Sequence, residues 1–123
     1  MTQRIHLDDL IESLSEIGFI VRDAGLLGSA LERPLTTVFG EEAYPSFEEK
    51  AAVLVHSIAT FHPMLDGNKR SAWITLNVFV ELNGYSLTVP TEDAMKFMLG
   101  VATGALEHSK IVDWLKSRLE PLD

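Results

Sequence analysis

The run from Phe61 to Trp73, FHPMLDGNKRSAW, gathers residue types that together can move a phosphoryl group. His62 stands before Pro63, and a residue before proline is pushed out of helix. A neutral imidazole is the usual base near pH 7, so His62 is a candidate to take a proton from an attacking hydroxyl. Asp66 is a candidate magnesium ligand, since that ion favours one or two carboxylates completed by phosphate oxygens. Gly67 lets the backbone approach a phosphate closely, and Asn68 tolerates the turn. Lys69 and Arg70 then open a strongly apolar helical segment. A helix N-terminus leaves backbone N–H groups unpaired, and its dipole favours an anion by about 0.3–1 kcal/mol. A full charge at about 4 Å, in an effective dielectric of about 20, contributes up to about 4 kcal/mol before desolvation. The two cations therefore outweigh the dipole, and Arg70 adds a forked donor matched to phosphate oxygens.

Each residue also has a plainer reading. His62 could cap the C-terminus of the preceding helix, where positive charge is welcome. Asp66 could close an Asx-turn or pair with Arg70. Asn68 could cap the next helix, with Lys69 and Arg70 solvated. His56 and His62 are six apart and do not share a helical face, while His6 and His108 sit near helix starts, so a histidine metal site is not expected. Met95, Met98 and Trp114 read as core. Asp8-Asp9 and Glu41-Glu42 read as solvated faces.

The 123 residues suit one domain, 1–123, able to bury roughly two thirds of its unfolded surface. Apolar residues make up 46%, which excludes a disordered chain. There is no cysteine, hence no disulfide, thiolate nucleophile or cysteine zinc site. The N-terminal stretch MTQRIHLDDLIESL lacks the basic start and unbroken apolar core of a leader. The most apolar run, Ala72 to Leu82, falls short of the ~20 residues of a membrane span. A soluble, cytoplasmic protein is the expectation. The net charge of −8 argues against non-specific nucleic-acid binding.

The elements that must position the loop read as helices. Leu7, Leu10, Ile11, Leu14 and Ile17 predict a first helix over about 7–17, ended by Gly18. Asp23 predicts the cap of a second, running to about Arg33 and stopped by Pro34. Residues 34–46 read as an irregular surface segment with about one helical turn. Ser46 and Glu49 form a capping box for a third helix, with Phe47, Ala51, Leu54, Val55, Ile58 and Phe61 on one face. Residues 69–82 predict a helix apolar nearly all round, expected at the centre of the fold and stopped by Asn83-Gly84. Tyr85 to Val89 reads as a short strand or extended link. Thr91 and Ser109 are expected caps of two further helices, the first ending near Gly104 and the last running through Leu119 to Pro121. The expected fold is all-α: about six helices around residues 69–82.

HPMLDGNKR, from His62 to Arg70, resembles the signature loop of the Fic/Doc family, in the lysine–arginine form of its Doc (death-on-curing) toxins. RDAGLLGSALERP, FEEKAAVLVHSIATFHP and the LNGY and VATG stretches are similar to Doc-like sequences as well. The resemblance implies a Fic-type helical fold and a Doc-like phosphotransferase toxin from a toxin–antitoxin module. It implies His62 as base, Asp66 as magnesium or active-site carboxylate, Gly67 and Asn68 as the anion-binding turn, and Arg70 as phosphate ligand. Lys69 replaces a glycine that cradles nucleotide phosphates in AMP-transferring members; in Doc the nucleotide lies in the opposite sense. The implied reaction is phosphorylation of a protein hydroxyl by ATP, with a threonine of translation elongation factor Tu as target. A Phd-like antitoxin is the implied partner, inhibition falling to it because Thr88–Glu92 and Thr103–Glu107 match the family's internal inhibitory motif only in part. The alternatives are Fic-type AMP transfer and a catalytically inactive binding member. Met64 stands where phenylalanine is usual, and an apolar methionine is expected to fill that core position.

Overall fold

The computed structural model describes residues 1–122. Helical spacing of Leu7, Leu10 and Leu14 gives α1 (Leu7–Glu16), which buries Leu10 and Leu14. The Asp23 side chain accepts from the Leu26 N–H and caps α2 (Ala24–Glu32) as expected. Pro34 does not simply stop the chain. It enters a 3-10 turn, Arg33–Leu35. Residues 37–42 then form a small antiparallel hairpin of β1 (Thr37–Val38) and β2 (Glu41–Glu42). That hairpin replaces the irregular segment expected there.

The capping box at Ser46 is complete: its side chain accepts from the Glu49 N–H, and the Glu49 carboxylate accepts from the Ser46 N–H. From it runs α3 (Phe47–Phe61), followed by α4 (Asn68–Leu82). Both are interior helices, and α3 is the more enclosed. It packs on α2, the 3-10 turn and α4, and also on α5 (Thr91–Thr103) and α6 (His108–Lys116). Its buried positions run almost continuously from Lys50 to Ala59, well beyond the single face read from its apolar residues. By contrast α4 buries Ala72, Leu76, Phe79 and Val80 but leaves Val78 and Leu82 exposed. The centre is therefore shared, with α3 as the hub. Small side chains explain this, because Ala51, Ala52, Ser57 and Ala59 let neighbouring helices approach from several sides.

Lys50 is 1% exposed. Its ammonium donates to the Tyr44 and Pro45 carbonyls and pairs with Glu42 at 3.0 Å, so the charge is satisfied where it is buried. It ties the hairpin to α3. Phe47 stacks between Phe79 and Tyr85, at centroid distances of 5.2 and 4.9 Å, and joins the start of α3 to α4.

The end of the chain departs from expectation. The N-caps of α5 and α6 are Pro90 and Glu107, without side-chain bonds, so Thr91 is the first residue of its helix and Ser109 lies inside the first turn. The last helix stops at Lys116 rather than continuing through Leu119. β4 (Leu119–Pro121) pairs antiparallel with β3 (Tyr85–Leu87). Backbone pairing across the chain thus overrides a short apolar helical pattern. Met98 is buried and Trp114 half-buried, but Met95 is exposed. Among the described residues no helix is long and apolar enough to cross a membrane.

Candidate active site

The loop 62–67 joins the two interior helices. His62 ends α3 in the left-handed region (φ 54°, ψ 54°), and its side chain is exposed. A residue other than glycine there is uncommon and needs outside support. Arg22 supplies it by donating from Nη2 to the His62 carbonyl. The Arg22 and Asp23 N–H groups both donate to the Pro63 carbonyl, at 2.8 and 3.0 Å, and the Leu65 N–H donates to the Ile20 carbonyl at 2.9 Å. Val21 and Met64 form an antiparallel bridge. The α1–α2 connector, 19–22, is thus a short strand-like splint laid along the loop. Nothing in its sequence marks it as part of the site.

Met64 is buried, as its apolar character predicted. Asn68 fixes it: Oδ1 accepts from the Met64 N–H at 2.9 Å and Nδ2 donates to the Met64 carbonyl at 3.2 Å. The Asn68 side chain is therefore occupied in holding the loop. It does not cap α4, whose N-cap is Gly67, and no side chain caps that end.

Gly67 has φ +73°, and a Cβ added there would lie 2.7 Å from Phe19 Cε1. The Phe19 ring closes over this glycine and also carries Arg70, whose guanidinium lies over it with Cζ 5.4 Å from the centroid. One aromatic side chain from the connector thus fixes both the turn and the cation. Lys69 and Arg70 are exposed, and neither has a carboxylate partner among the described residues. The ion pair between Asp66 and Arg70 is not formed. Asp66 accepts through Oδ1 from the neighbouring Gly67 N–H at 2.8 Å, and its second oxygen has no protein partner among the described residues.

The arrangement puts an exposed imidazole at the end of one helix. After a six-residue loop comes a helix N-terminus with no side-chain cap, bearing two unpaired cations. Chemically the loop carries a candidate base at one end and a candidate anion site at the other. His62, Asp66, Gly67, Lys69 and Arg70 all belong to this loop and the first turn of α4, while Asn68 supports it from within. Among the described residues no three metal-binding side chains cluster, so Asp66 would need other donors to complete an ion's coordination. Two surface concavities, of about 840 and 410 Å³, involve no residue of this loop. His56 lies within α3. Burial, then Arg33, then His108 hold its pKa below the ordinary value of 6.5.

A helix–loop–helix of this kind, splinted by an upstream connector, is a candidate group-transfer site on a helical scaffold. Residues 2–80 match the model of the Fic/DOC family, and the chain belongs to that family. It is also 49% identical over 67 residues to the protein named Toxin Doc from Mycolicibacterium smegmatis (strain ATCC 700084 / mc(2)155), a stretch that is 54% of this chain and 52% of the relative. The chain thus spans about half the length of the curated relative it matches.

Proposed function

We propose that the chain is a Doc-type toxin that transfers the γ-phosphoryl group of ATP to a protein hydroxyl, with a threonine of elongation factor Tu as target. Translation stops as a result, and a Phd-like antitoxin neutralises the activity in the cytoplasm. The observation that carries this reading is the exposed His62, held by Arg22 in a strained conformation beside the uncapped, doubly cationic start of α4.

The His62 imidazole takes the proton of the target hydroxyl. The freed oxygen forms a bond to the γ-phosphorus as the bond from that phosphorus to the β–γ bridging oxygen breaks, and ADP leaves. Arg70 and the first-turn N–H groups of α4 stabilise the charge that spreads over the phosphoryl oxygens. Phe19 holds the guanidinium against wandering. The free oxygen of Asp66 suits a magnesium ion completed by phosphate oxygens; when bound, that ion would neutralise phosphate charge. Lys69 directs the choice between phosphoryl and AMP transfer. It puts a charged side chain where AMP-transferring members leave room for phosphates, so the nucleotide would lie with its γ-phosphate towards His62.

Induced expression in a bacterial host tests the proposal. Wild type should arrest growth and leave elongation factor Tu heavier by one phosphate, and His62→Ala should do neither. Equal growth of the two strains, or an added AMP, would count against it.

A further inference from the structure

From Lys50 to Ala59 the hub helix α3 buries every residue but one, His56. The gap in its cover is therefore a histidine. Two further basic side chains, from different elements, come up to that gap. Arg33 from the 3-10 turn and His108 from the start of α6 both act on the His56 imidazole. After burial, they help to hold its pKa below 6.5, and no carboxylate offsets them. Tyr44, from the stretch leading into α3, flanks the group with its ring centroid 5.9 Å from that of His108.

Arg33 is held firmly for a half-buried cation. Its Nη1 donates at 2.8 Å to Oγ of Ser57, a fully buried hydroxyl that itself donates to the Val53 carbonyl at 2.6 Å. Its Cζ lies 5.8 Å from the centroid of the Phe61 ring. Ser57 and Phe61 thus fix the guanidinium plane while its other donors stay unused by side-chain acids. Neither Arg33, His56 nor His108 has a carboxylate partner among the described residues. The chain carries 18 acidic residues against 10 Lys and Arg, so composition does not explain a basic group without an acid. Like charges gathered in a partly buried place oppose one another's protonation. What this group lacks is a counter-charge.

We propose that Arg33, His56 and His108 form a second anion site, sharing no residue with the loop 62–70, which takes a doubly charged oxyanion of phosphate size. The planar fork of Arg33 suits two oxygens of such an ion. The two imidazoles, once protonated, donate to the others. The bound charge favours the protonated form of His56, so it raises the imidazole pKa and opposes the effect of Arg33 and His108. Binding therefore tightens as pH falls through that pKa. Such a site is independent of the group that the loop transfers.

Proton NMR of the histidine rings between pH 8 and pH 5 tests this, with His56→Gln identifying the His56 signal. Sulfate, whose charge is constant over that range, is compared with chloride at equal ionic strength. About 10 mM sulfate should raise the His56 titration midpoint by about 0.5–1 pH unit. Arg33→Gln should start from a higher midpoint in chloride, having lost a like charge, and should lose the response to sulfate. His108→Asn, at an exposed position, should weaken the response without unfolding the chain. Arg70→Gln should keep it, which separates this site from the loop. Inorganic phosphate and phenyl phosphate then distinguish the sources. A stronger response to the ester assigns the site to a phosphorylated organic molecule, and a weaker one assigns it to the free ion. An unchanged midpoint in sulfate, a response that survives both Arg33→Gln and His108→Asn, or one abolished by Arg70→Gln would each overturn the proposal.

Discussion

The side-chain amide of Asn68 clasps the backbone of Met64 at both of its polar groups, at 2.9 and 3.2 Å. This fastens the first residue of α4 to the middle of the loop that carries His62. The clasp ties the start of α4 to the loop that begins at His62, the candidate base.

Asn68→Ala removes both bonds and leaves the Met64 groups to find water. We expect a loss of about 1–3 kcal/mol in urea unfolding, and a larger proportional loss of transfer activity than of stability. Asn68→Asp keeps the acceptor and loses the donor, so its stability should fall between wild type and alanine. An alanine variant as stable as wild type would show that the clasp is not rigid in solution.

Gly67→Ala meets two obstacles, the left-handed backbone and Phe19 at 2.7 Å. We expect a destabilisation of about 1–3 kcal/mol. Phe19→Ala in the same chain should relieve the contact and leave the backbone part. The two substitutions should then be non-additive in a double-mutant cycle. Phe19→Ala alone should raise the KM for ATP, because Arg70 loses the ring it rests on.

His56 supplies a pH test. Its folded pKa lies below 6.5 because of burial first and the nearby Arg33 and His108 second. The unfolded chain therefore binds this proton more readily than the folded one. Stability associated with His56 is fully present above pH 6.5 and is lost as pH falls from there through the folded pKa. Urea unfolding between pH 8 and pH 5 should show that decline (other groups add their own below it). His56→Gln should flatten the part just below neutrality, and an unchanged slope would contradict the assignment.

The helices were legible where one local signal set each boundary. Asp23 capped α2, Ser46 and Glu49 boxed α3, and Asn83-Gly84 stopped α4. Thr91 and Ser109 carried the right chemistry but lie one and two residues past the N-caps, where a hydroxyl cannot satisfy the first amides. The hairpin and the β3–β4 pair were not legible as pairings, because their partners are set by backbone bonds that leave little trace in side-chain pattern. At the candidate site, type and spacing alone single out His62, Asp66, Lys69 and Arg70 as candidates. Phe19 and Arg22 could not be found that way: an aromatic and an arginine in a connector look ordinary until the chain returns forty or more residues later to lie against them. Nothing in the sequence around Lys50 signals burial, and only the closing of the hairpin over α3 buries it.

Transfer of radioactive phosphorus from ATP to elongation factor Tu tests the central claim most directly. With purified chain, label at the γ position should appear in the target, label at the α position should not, and His62→Ala should reduce the γ signal by at least about a hundredfold. Label from the α position, or a γ signal unaffected by His62→Ala, would contradict the account.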